Sequence, residues 1–360
     1  MLNKYFPIIF ITLGRDCNFN CKYCLQDEKH FHQRKNIVVP ELSQKLLNFL
    51  DKYQYNDTKI MFWGGEPLLY IDSIKKLLER YGKKFKWGTV TNGSLLNENI
   101  VSLFDKHNVS FVISHDGKAT EYTREIDILK NEKIKKLLEN SKSFSGFSSV
   151  YSSCNNNYRQ LFSFFDQIGF KNKNIVVDMI YNTSDTLFLN ELANINKEDY
   201  KKTLLELFWG YEQQEFYNNN DYFKEWLVVK EMLNKLDLTI KYKSKSSNRH
   251  YNIGCATCKR VLNIDWNGDV YICHNSTYKI GTVKDNHETL HETFIKYLET
   301  KFTPKCKNCD IYGLCEGACL LLTEKGQESF CNLRKIKTEL LCNWLSTLEN
   351  KLSEREKDRN

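Results

Sequence analysis

Three cysteines near the N-terminus have a spacing that suits a metal cluster. Cys17, Cys21 and Cys24 read C-x3-C-x2-C in a loop that directly follows an apolar, strand-like segment. A structural zinc site needs four closed ligands, and no fourth ligand lies close by in the sequence. Three thiolates on a four-iron cluster leave one iron open to a substrate or cofactor. The spacing therefore favours an open iron–sulfur cluster, with zinc and a remote fourth ligand as the alternative.

A second group of cysteines lies in the C-terminal third of the chain. Its first three members surround a hairpin-like run, in which Gly268 stands in an NGD turn five positions before a cysteine. Eight thiolates are enough for two four-thiolate sites, either iron–sulfur clusters or zinc ribbons. The eight are Cys255, Cys258, Cys273, Cys306, Cys309, Cys315, Cys319 and Cys331. Of the two remaining cysteines, we expect Cys342 to be a buried packing residue. For Cys154 we expect burial, with a catalytic thiol as the alternative.

Length and composition set the broad class of the protein. The chain has 360 residues, 13 cysteines and a formal net charge of +7, and 41% of its residues are hydrophobic. These values are ordinary for a globular protein. No apolar run reaches the roughly 18 residues of a membrane span, and no export signal is present. We therefore expect a cytoplasmic protein without a membrane or nucleic-acid partner, whose cysteines serve metal binding rather than disulfides.

Elements that could position these cysteines follow from the hydrophobic pattern. Strand-like segments alternate with amphipathic helices as far as residue 181, which predicts a parallel α/β sheet, closed or half-closed as a barrel. The predicted strands are Pro7–Thr12, Lys59–Trp63, Phe85–Thr91, Val109–Ser114, Phe147–Ser152 and Asn174–Tyr181. An aromatic, helical bridge follows, and a helix is predicted from Cys331 onward. The predicted domains are 1–185 (barrel), 186–250 (bridge), 251–335 (cysteine-rich) and 336–360 (terminal helix and charged tail).

The N-terminal half resembles the radical S-adenosylmethionine (SAM) superfamily. The resemblance rests on the C-x3-C-x2-C loop, on Tyr23 before its last cysteine, and on a GGEP sequence after the second strand. It covers about residues 5–185 and implies a partial (β/α)6 TIM-like barrel with its active site at the carboxyl ends of the strands. The SAM contacts that it implies are Tyr23, Gly64, Gly65, Glu66, Pro67, Thr91, Asn92, Ser114, Asp116 and Arg124.

The same resemblance implies a reaction. A reduced [4Fe-4S] cluster on the three cysteines passes one electron to SAM, and the resulting 5′-deoxyadenosyl radical removes a hydrogen atom from an unactivated C–H bond. An external donor of the flavodoxin or ferredoxin type would supply the electron. A non-catalytic iron–sulfur or zinc interaction protein on a degenerate barrel is the alternative class.

The cysteine-rich region resembles the SPASM domain, the auxiliary-cluster module of many radical SAM enzymes. The order of the cysteines and the glycine before Cys273 carry this resemblance. It implies two auxiliary [4Fe-4S] clusters. One set of ligands would be Cys255, Cys258, Cys273 and Cys319, and the other Cys306, Cys309, Cys315 and Cys331.

Auxiliary clusters suit the oxidation of a substrate radical, and the resemblance implies two settings for it. One is crosslink formation in ribosomally made peptides, and the other is formylglycine formation in sulfatases. In sulfatase-maturing members an aspartate base follows the hairpin cysteine, whereas this chain has His274, either a base or a donor to a cluster sulfur. We expect a peptide or protein substrate. Because the first strand begins by Pro7, we expect no N-terminal leader-binding module, so a separate protein or the aromatic bridge would present the peptide.

Overall fold

The computed structural model describes residues 2, 4–26, 39–184, 186–245, 260–301, 306, 308–315, 317 and 319–357. Cys255 and Cys258 lie outside these residues, so the predictions made for them stay predictions. Within the described residues, no helix combines the length and hydropathy that a bilayer-crossing segment requires.

A single sheet of nine strands carries the site. Strands β1 to β5 pair in parallel, and β6 lies at the edge beside β5, in the order β6-β5-β4-β3-β2-β1-β7-β8-β9. The strands are β1 Ile8–Gly14, β2 Lys59–Gly64, β3 Lys86–Thr91, β4 Val109–Ser114, β5 Phe144–Tyr151, β6 Asn174–Met179, β7 Val261–Asp265, β8 Asp269–Tyr271 and β9 Lys279–Thr282. The predicted parallel α/β sheet, a TIM-like partial barrel, is confirmed.

Helices connect the parallel strands, as crossovers between parallel strands require. In β1, Ile9 and Ile11 are fully buried while Phe10 between them is partly exposed, so alternate side chains serve the core and the opposite face. The α-helices are α1 Gln44–Lys52, α2 Ile71–Tyr81, α3 Glu98–His107, α4 Thr120–Arg124, α5 Glu132–Asn140, α6 Tyr158–Gln167, α7 Leu187–Ala193, α8 Lys197–Tyr217, α9 Phe223–Lys245, α10 His287–Lys301 and α11 Glu324–Lys357.

Strands β7 to β9 extend the barrel sheet, which the sequence did not predict. β7 pairs with β1 in parallel, from Ile8 opposite Val261 to Thr12 opposite Asp265, and β8 and β9 continue as antiparallel strands. Gly268 turns between β7 and β8 with φ of 76°, in the left-handed region that favours glycine. The segment after β8, which contains Cys273, is therefore attached to the same sheet as β1.

Contacts group the chain into two compact units. The first comprises Met1–Val150, Gln167–Asp178 and Cys255–Lys301, and the second Tyr151–Asp166, Met179–Gly254 and Phe302–Asn360. In the second unit α8 packs against α9 and α11, where Phe208 stacks on Trp344 with ring centroids 4.8 Å apart. Helices α7 to α9 lie within the predicted bridge, 186–250, whereas its role as a bridge and the domain boundaries drawn from the sequence stay predictions.

Three local predictions were wrong. The hydrophobic pattern predicts one helix from Ile126 to Ser141, but this segment is divided: a short 3₁₀ turn, Ile128–Lys130, precedes α5, because Asn131 caps the N-terminus of α5 with its side chain. The terminal helix begins at Glu324 rather than after Cys331. Cys154 is exposed rather than buried, since it lies in the turn after β5 and not under a helix, while Cys342 is half-buried.

Candidate active site

The three N-terminal cysteines lie together in the loop after β1. Burial first, and then the charges of Glu66, Cys21 and Cys24, raise the pKa of Cys17 to about 12. The backbone N–H of Phe19 donates to the sulfur of Cys17 at 3.4 Å. The backbone N–H of Gln26 lowers the pKa of Cys24. Such N–H donors partly offset the cost of a buried thiolate. The loop therefore gathers three thiols with donors already directed at two of them.

The chemistry of these thiols fits an iron–sulfur cluster. Burial raises the pKa of Cys21 to about 11, although Arg124 partly offsets it, and burial also raises the pKa of Cys24. Buried thiols of this kind stay protonated at neutral pH unless a cation stabilises the thiolate. Among the described residues, no three Cys, His, Asp or Glu side chains converge as a site for one metal ion. An iron–sulfur cluster does not need its ligands to converge on one ion, since each of its irons binds one thiolate.

Asp116 connects the cluster loop to the loop after β4. The hydroxyls of Tyr23 and Thr123 donate to its Oδ2, the latter at 2.7 Å, and Arg124 Nε donates to the same oxygen at 3.0 Å. The backbone N–H of Val150 donates to Oδ1 at 2.8 Å. Burial raises the pKa of Asp116, but Arg124 and the donors outweigh burial and leave that pKa below its usual value. The residue is therefore an ionised carboxylate in the core of the site.

Arg124 places its charge beside a cluster thiol. Its side chain donates to the sulfur of Cys21 as well as to Asp116, and its guanidinium lies 5.2 Å from the centre of the Tyr23 ring. A positive charge here favours the thiolate form of Cys21. The contact between Arg124 and the SAM carboxylate stays a prediction.

Glu66 holds two loops together through a fully buried carboxylate. Its Oε1 accepts from the Thr91 hydroxyl at 2.6 Å and from the backbone N–H of Leu68 at 3.0 Å, and its Oε2 accepts from the N–H of Asn92 at 2.7 Å. Asn92 in turn donates to Asn18 Oδ1 at 2.9 Å, inside the cluster loop. These side chains position three loops, and their predicted contacts with SAM stay predictions.

Gly64 and Gly65 let this turn lie directly against the cluster loop. A Cβ on Gly65 would lie 2.2 Å from the carbonyl oxygen of Asp16, and a Cβ on Gly64 would lie 2.1 Å from that of Gly14. The N–H of Gly65 donates to the carbonyl of Gly14 at 3.2 Å. A side chain at either position would therefore push the two loops apart.

Pro67 and Ser114 are also at the carboxyl ends of strands. Pro67 is buried and opens a 3₁₀ turn, Pro67–Tyr70, directly after β2. Ser114 is the last residue of β4 and is partly exposed. Next to it, fully buried His115 bonds through Nε2 to Asp127 at 2.9 Å and receives the N–H of Gly117 at Nδ1. Since Nδ1 accepts this bond, Nε2 is the nitrogen that donates to Asp127.

His274 lies against aromatic side chains of the neighbouring strands β1 and β2. Its ring stacks on Phe10 with centroids 4.2 Å apart and meets Trp63 edge-on at 4.5 Å. Burial in these surroundings, with the nearby charge of Arg15, lowers the pKa of His274 to about 3. The imidazole is therefore neutral and weakly basic at neutral pH. A base function for His274 stays a prediction that this environment does not favour.

In the second unit, four cysteines lie close enough for their charges to interact: Cys306, Cys309, Cys315 and Cys331. Burial first, and then the charges of Cys306, Cys315 and Cys309, raise the pKa of Cys331 to about 11. These are the four residues of the second predicted auxiliary set. Cys319 is largely shielded, and burial raises its pKa.

Sequence reasoning missed the polar residues around Cys273. Arg15 donates to the carbonyl of Ser276 at 2.5 Å, and Trp63 Nε1 donates to Asn275 Oδ1 at 3.0 Å. Gln26 Nε2 donates to Asn275 Oδ1 at 3.1 Å. Neither spacing nor periodicity signals such contacts, because their partners are more than 200 residues apart in the chain. Proximity of Gln26 to Cys24, and of Asn275 to Cys273, is the one signal the sequence offers.

Comparison with known proteins relates this site to one family. The family model of the radical SAM superfamily matches residues 11–151. The radical SAM cyclopropyl synthase TigE of Paramaledivibacter caminithermalis is 27% identical over 97% of this chain and 74% of its own. A cysteine-type anaerobic sulfatase-maturating enzyme of Clostridium novyi is 24% identical over 88% of each chain.

Solved structures share the fold. Native anSMEcpe with bound AdoMet and Cp18Cys peptide superposes with a TM-score of 0.65 at 22% identity, over 96% of this chain and 99% of that one. Streptococcus suis SuiB bound to its precursor peptide SuiA gives a TM-score of 0.59 at 16% identity, over 88% and 72% of the two chains. At these identities the likeness is one of fold.

Proposed function

Since residues 11–151 are a radical SAM domain, we propose that the protein is a radical SAM enzyme of the maturase type that modifies a peptide or protein. The observation that carries this proposal is the gathering of Cys17, Cys21 and Cys24 at the carboxyl end of β1. When bound, the cluster and SAM supply a 5′-deoxyadenosyl radical that removes a hydrogen atom from the substrate.

The residues of this chain hold the parts of that site in place. Arg124 and two backbone N–H groups stabilise the thiolates, and the Tyr23–Asp116 bond fixes the end of the cluster loop. Glu66 holds the turn after β2 against the loop after β3. The loops therefore need little rearrangement when the cofactors bind, which is the protein's share of such catalysis.

The finer proposal is oxidative bond formation in a ribosomally made peptide. A substrate residue that loses one hydrogen atom, then one electron and one proton, forms a new bond and becomes two hydrogens lighter. The Cys273 site and the set around Cys331 are proposed to hold auxiliary [4Fe-4S] clusters that accept the electron. Similarity to TigE, named as a cyclopropyl synthase, supports a carbon–carbon bond as the product.

Formylglycine formation is the second candidate. Similarity to the Clostridium novyi sulfatase-maturating enzyme supports it. The weakly basic His274, where sulfatase-maturing members have an aspartate, speaks against it.

The first experiment tests the enzyme class. The protein is reconstituted anaerobically and given SAM with a chemical reductant or a flavodoxin-type donor, and 5′-deoxyadenosine is measured. We expect about twelve irons per chain and formation of 5′-deoxyadenosine that Cys24→Ala abolishes. Cys342→Ala is the control and should retain both. Undiminished product from Cys24→Ala, or stoichiometric zinc in place of iron, would refute the proposal.

The second experiment identifies the bond. Peptides encoded beside the gene are co-expressed with the enzyme and fragmented in a mass spectrometer. A crosslink between residues suppresses the fragments between them, whereas a ring within one residue assigns the whole mass loss to that residue. Conversion of a cysteine to an aldehyde would instead establish formylglycine formation and overturn the peptide-crosslinking proposal.

A further inference from the structure

A chain of hydrogen bonds leads from one cysteine sulfur to another. The backbone N–H of Asn275 donates to the sulfur of Cys273 at 3.4 Å, and the backbone N–H of Gln26 favours the thiolate form of Cys24 by lowering its pKa. The two side chains meet where Gln26 Nε2 donates to Asn275 Oδ1 at 3.1 Å. The side chains of Gln26 and Asn275 therefore connect the cluster loop to the segment after β8.

The neighbours of this pair allow only one orientation of each amide. Trp63 Nε1 can only donate, and it donates to Asn275 Oδ1 at 3.0 Å. Gln26 Nε2 also donates to the carbonyl of Gly64 at 3.0 Å, which can only accept, and Arg15 donates to Gln26 Oε1 at 3.2 Å. Three groups of fixed polarity therefore agree on how the two amides face each other.

Burial makes this arrangement costly to break. Asn275 is only 8% exposed, so an amide that lost its partners would be left without water to replace them. Arg15 fixes the same segment a second time through the carbonyl of Ser276, at 2.5 Å. The segment after Cys273 is therefore held against the cluster loop at two points.

We propose that Gln26 and Asn275 are positioning residues that tie the sulfur of Cys24 to the sulfur of Cys273, and so fix an auxiliary iron–sulfur site relative to the SAM-cleaving site. This inference rests on the proposed function for the presence of clusters at both sulfurs. Because N–H···S bonds also influence cluster potentials, the same two residues act on both sites at once.

The first test is spectroscopic and uses the reconstituted, reduced protein. Asn275→Leu and Gln26→Leu each remove the amide–amide bond but keep the backbone N–H groups. Each should alter the spin–spin interaction between the two clusters in the electron paramagnetic resonance spectrum. Asn275→Asp keeps the accepting oxygen and should retain the wild-type interaction. Gln44→Leu is the matched control, since it breaks a Gln–Asn amide bond of 2.7 Å that is exposed on α1.

The second test needs no metal. Thermal unfolding of the metal-free chain is measured for Gln26→Leu, Asn275→Leu and the double variant. If the Gln26–Asn275 hydrogen bond exists, the loss of Tm in the double variant should be smaller than the sum of the losses in the two single variants. Additive losses, or an unchanged spin–spin interaction in both Leu variants, would overturn the proposal. A chain that binds no clusters would refute the proposed function instead. The unfolding measurements on the metal-free variants would still decide whether the Gln26–Asn275 hydrogen bond exists.

Discussion

Asp116 receives hydrogen bonds from donors that belong to three separate segments of the chain. Tyr23 comes from the cluster loop, Thr123 and Arg124 from α4, and Val150 from β5. A buried carboxylate is tolerated only when a cation and several donors compensate its lost hydration. At the residue scale, Asp116 is therefore the point at which the cluster loop is attached to the rest of the sheet.

This attachment predicts a large effect of Asp116→Asn. The substitution leaves the Arg124 charge buried without its partner, and we expect the free energy of unfolding to fall by about 3 kcal/mol. Urea unfolding of the reconstituted protein measures it. Glu121→Gln, which breaks the exposed Lys130–Glu121 pair of 2.6 Å, is the control and should leave the free energy of unfolding nearly unchanged, since water and salt screen exposed pairs. Equal losses in the two variants would contradict the assignment.

The hairpin of β8 and β9 is fixed to its surroundings by ion pairs. Asp269, at the start of β8, contacts Lys45 of α1 at 2.5 Å and Lys279 of β9 at 2.9 Å. Burial raises the pKa of Asp269, but the two lysines outweigh burial and lower that pKa overall. At the element scale, this carboxylate holds the hairpin, and with it the segment that contains Cys273, against α1.

The lowered pKa of Asp269 predicts a dependence on pH. Because the folded-state pKa lies below the unfolded value of about 3.9, the stabilisation is complete above that value and is lost as the pH falls through the folded pKa. Asp269→Asn should therefore cost about 1 kcal/mol at neutral pH and progressively less below about pH 4. Urea midpoints of both proteins across this range test it. A deficit that stays constant into acid would show that the charge is not responsible.

The turn after β2 predicts a steric effect of Gly65→Ala. The new Cβ would meet the carbonyl of Asp16 at 2.2 Å, so the turn must move away from the cluster loop. We expect a stability loss of about 1–3 kcal/mol and a clear drop in 5′-deoxyadenosine formation. Gly313→Ala is the control, because no atom lies within 4 Å of its Cβ position. Full SAM cleavage by Gly65→Ala would show that this close approach is dispensable.

At the scale of the whole molecule, the three cysteines of the SAM-cleaving site and the four cysteines of the second auxiliary set belong to different compact units. Cys17, Cys21, Cys24 and Cys273 belong to the first unit, while the set around Cys331 belongs to the second. Loss of a cluster in the second unit need not disturb the thiols of the first. The steps of the proposed reaction should therefore be separable by substitution.

Cys331→Ala should separate radical formation from product formation. We expect iron to fall by about four per chain and the modified peptide to be lost, while 5′-deoxyadenosine is still formed. Iron analysis and chromatography of the two products measure this. Retention of all the iron in Cys331→Ala would remove this residue from the ligand set.

The sequence by itself determined the alternation of strands and helices, and with it the confirmed α/β barrel. Local hydrophobic periodicity is enough for this, as the agreement of the predicted strands Lys59–Trp63 and Val109–Ser114 with β2 and β4 shows. The cysteine spacing and the GGEP turn also indicated the radical SAM domain, because ligand spacing within a loop is a local property. Cys154 was misjudged because its exposure depends on what packs over the turn after β5.

Only the tertiary structure decided how distant segments meet. The addition of β7–β9 to the barrel sheet, the weak basicity of His274 and the Gln26–Asn275 bridge each depend on groups far apart in the chain. Hydrogen-bond partners and desolvation are set by packing. Packing between remote segments does not appear as a periodic pattern in the sequence of either segment. The chemistry of the site could therefore be inferred from residue types, whereas its positioning could not.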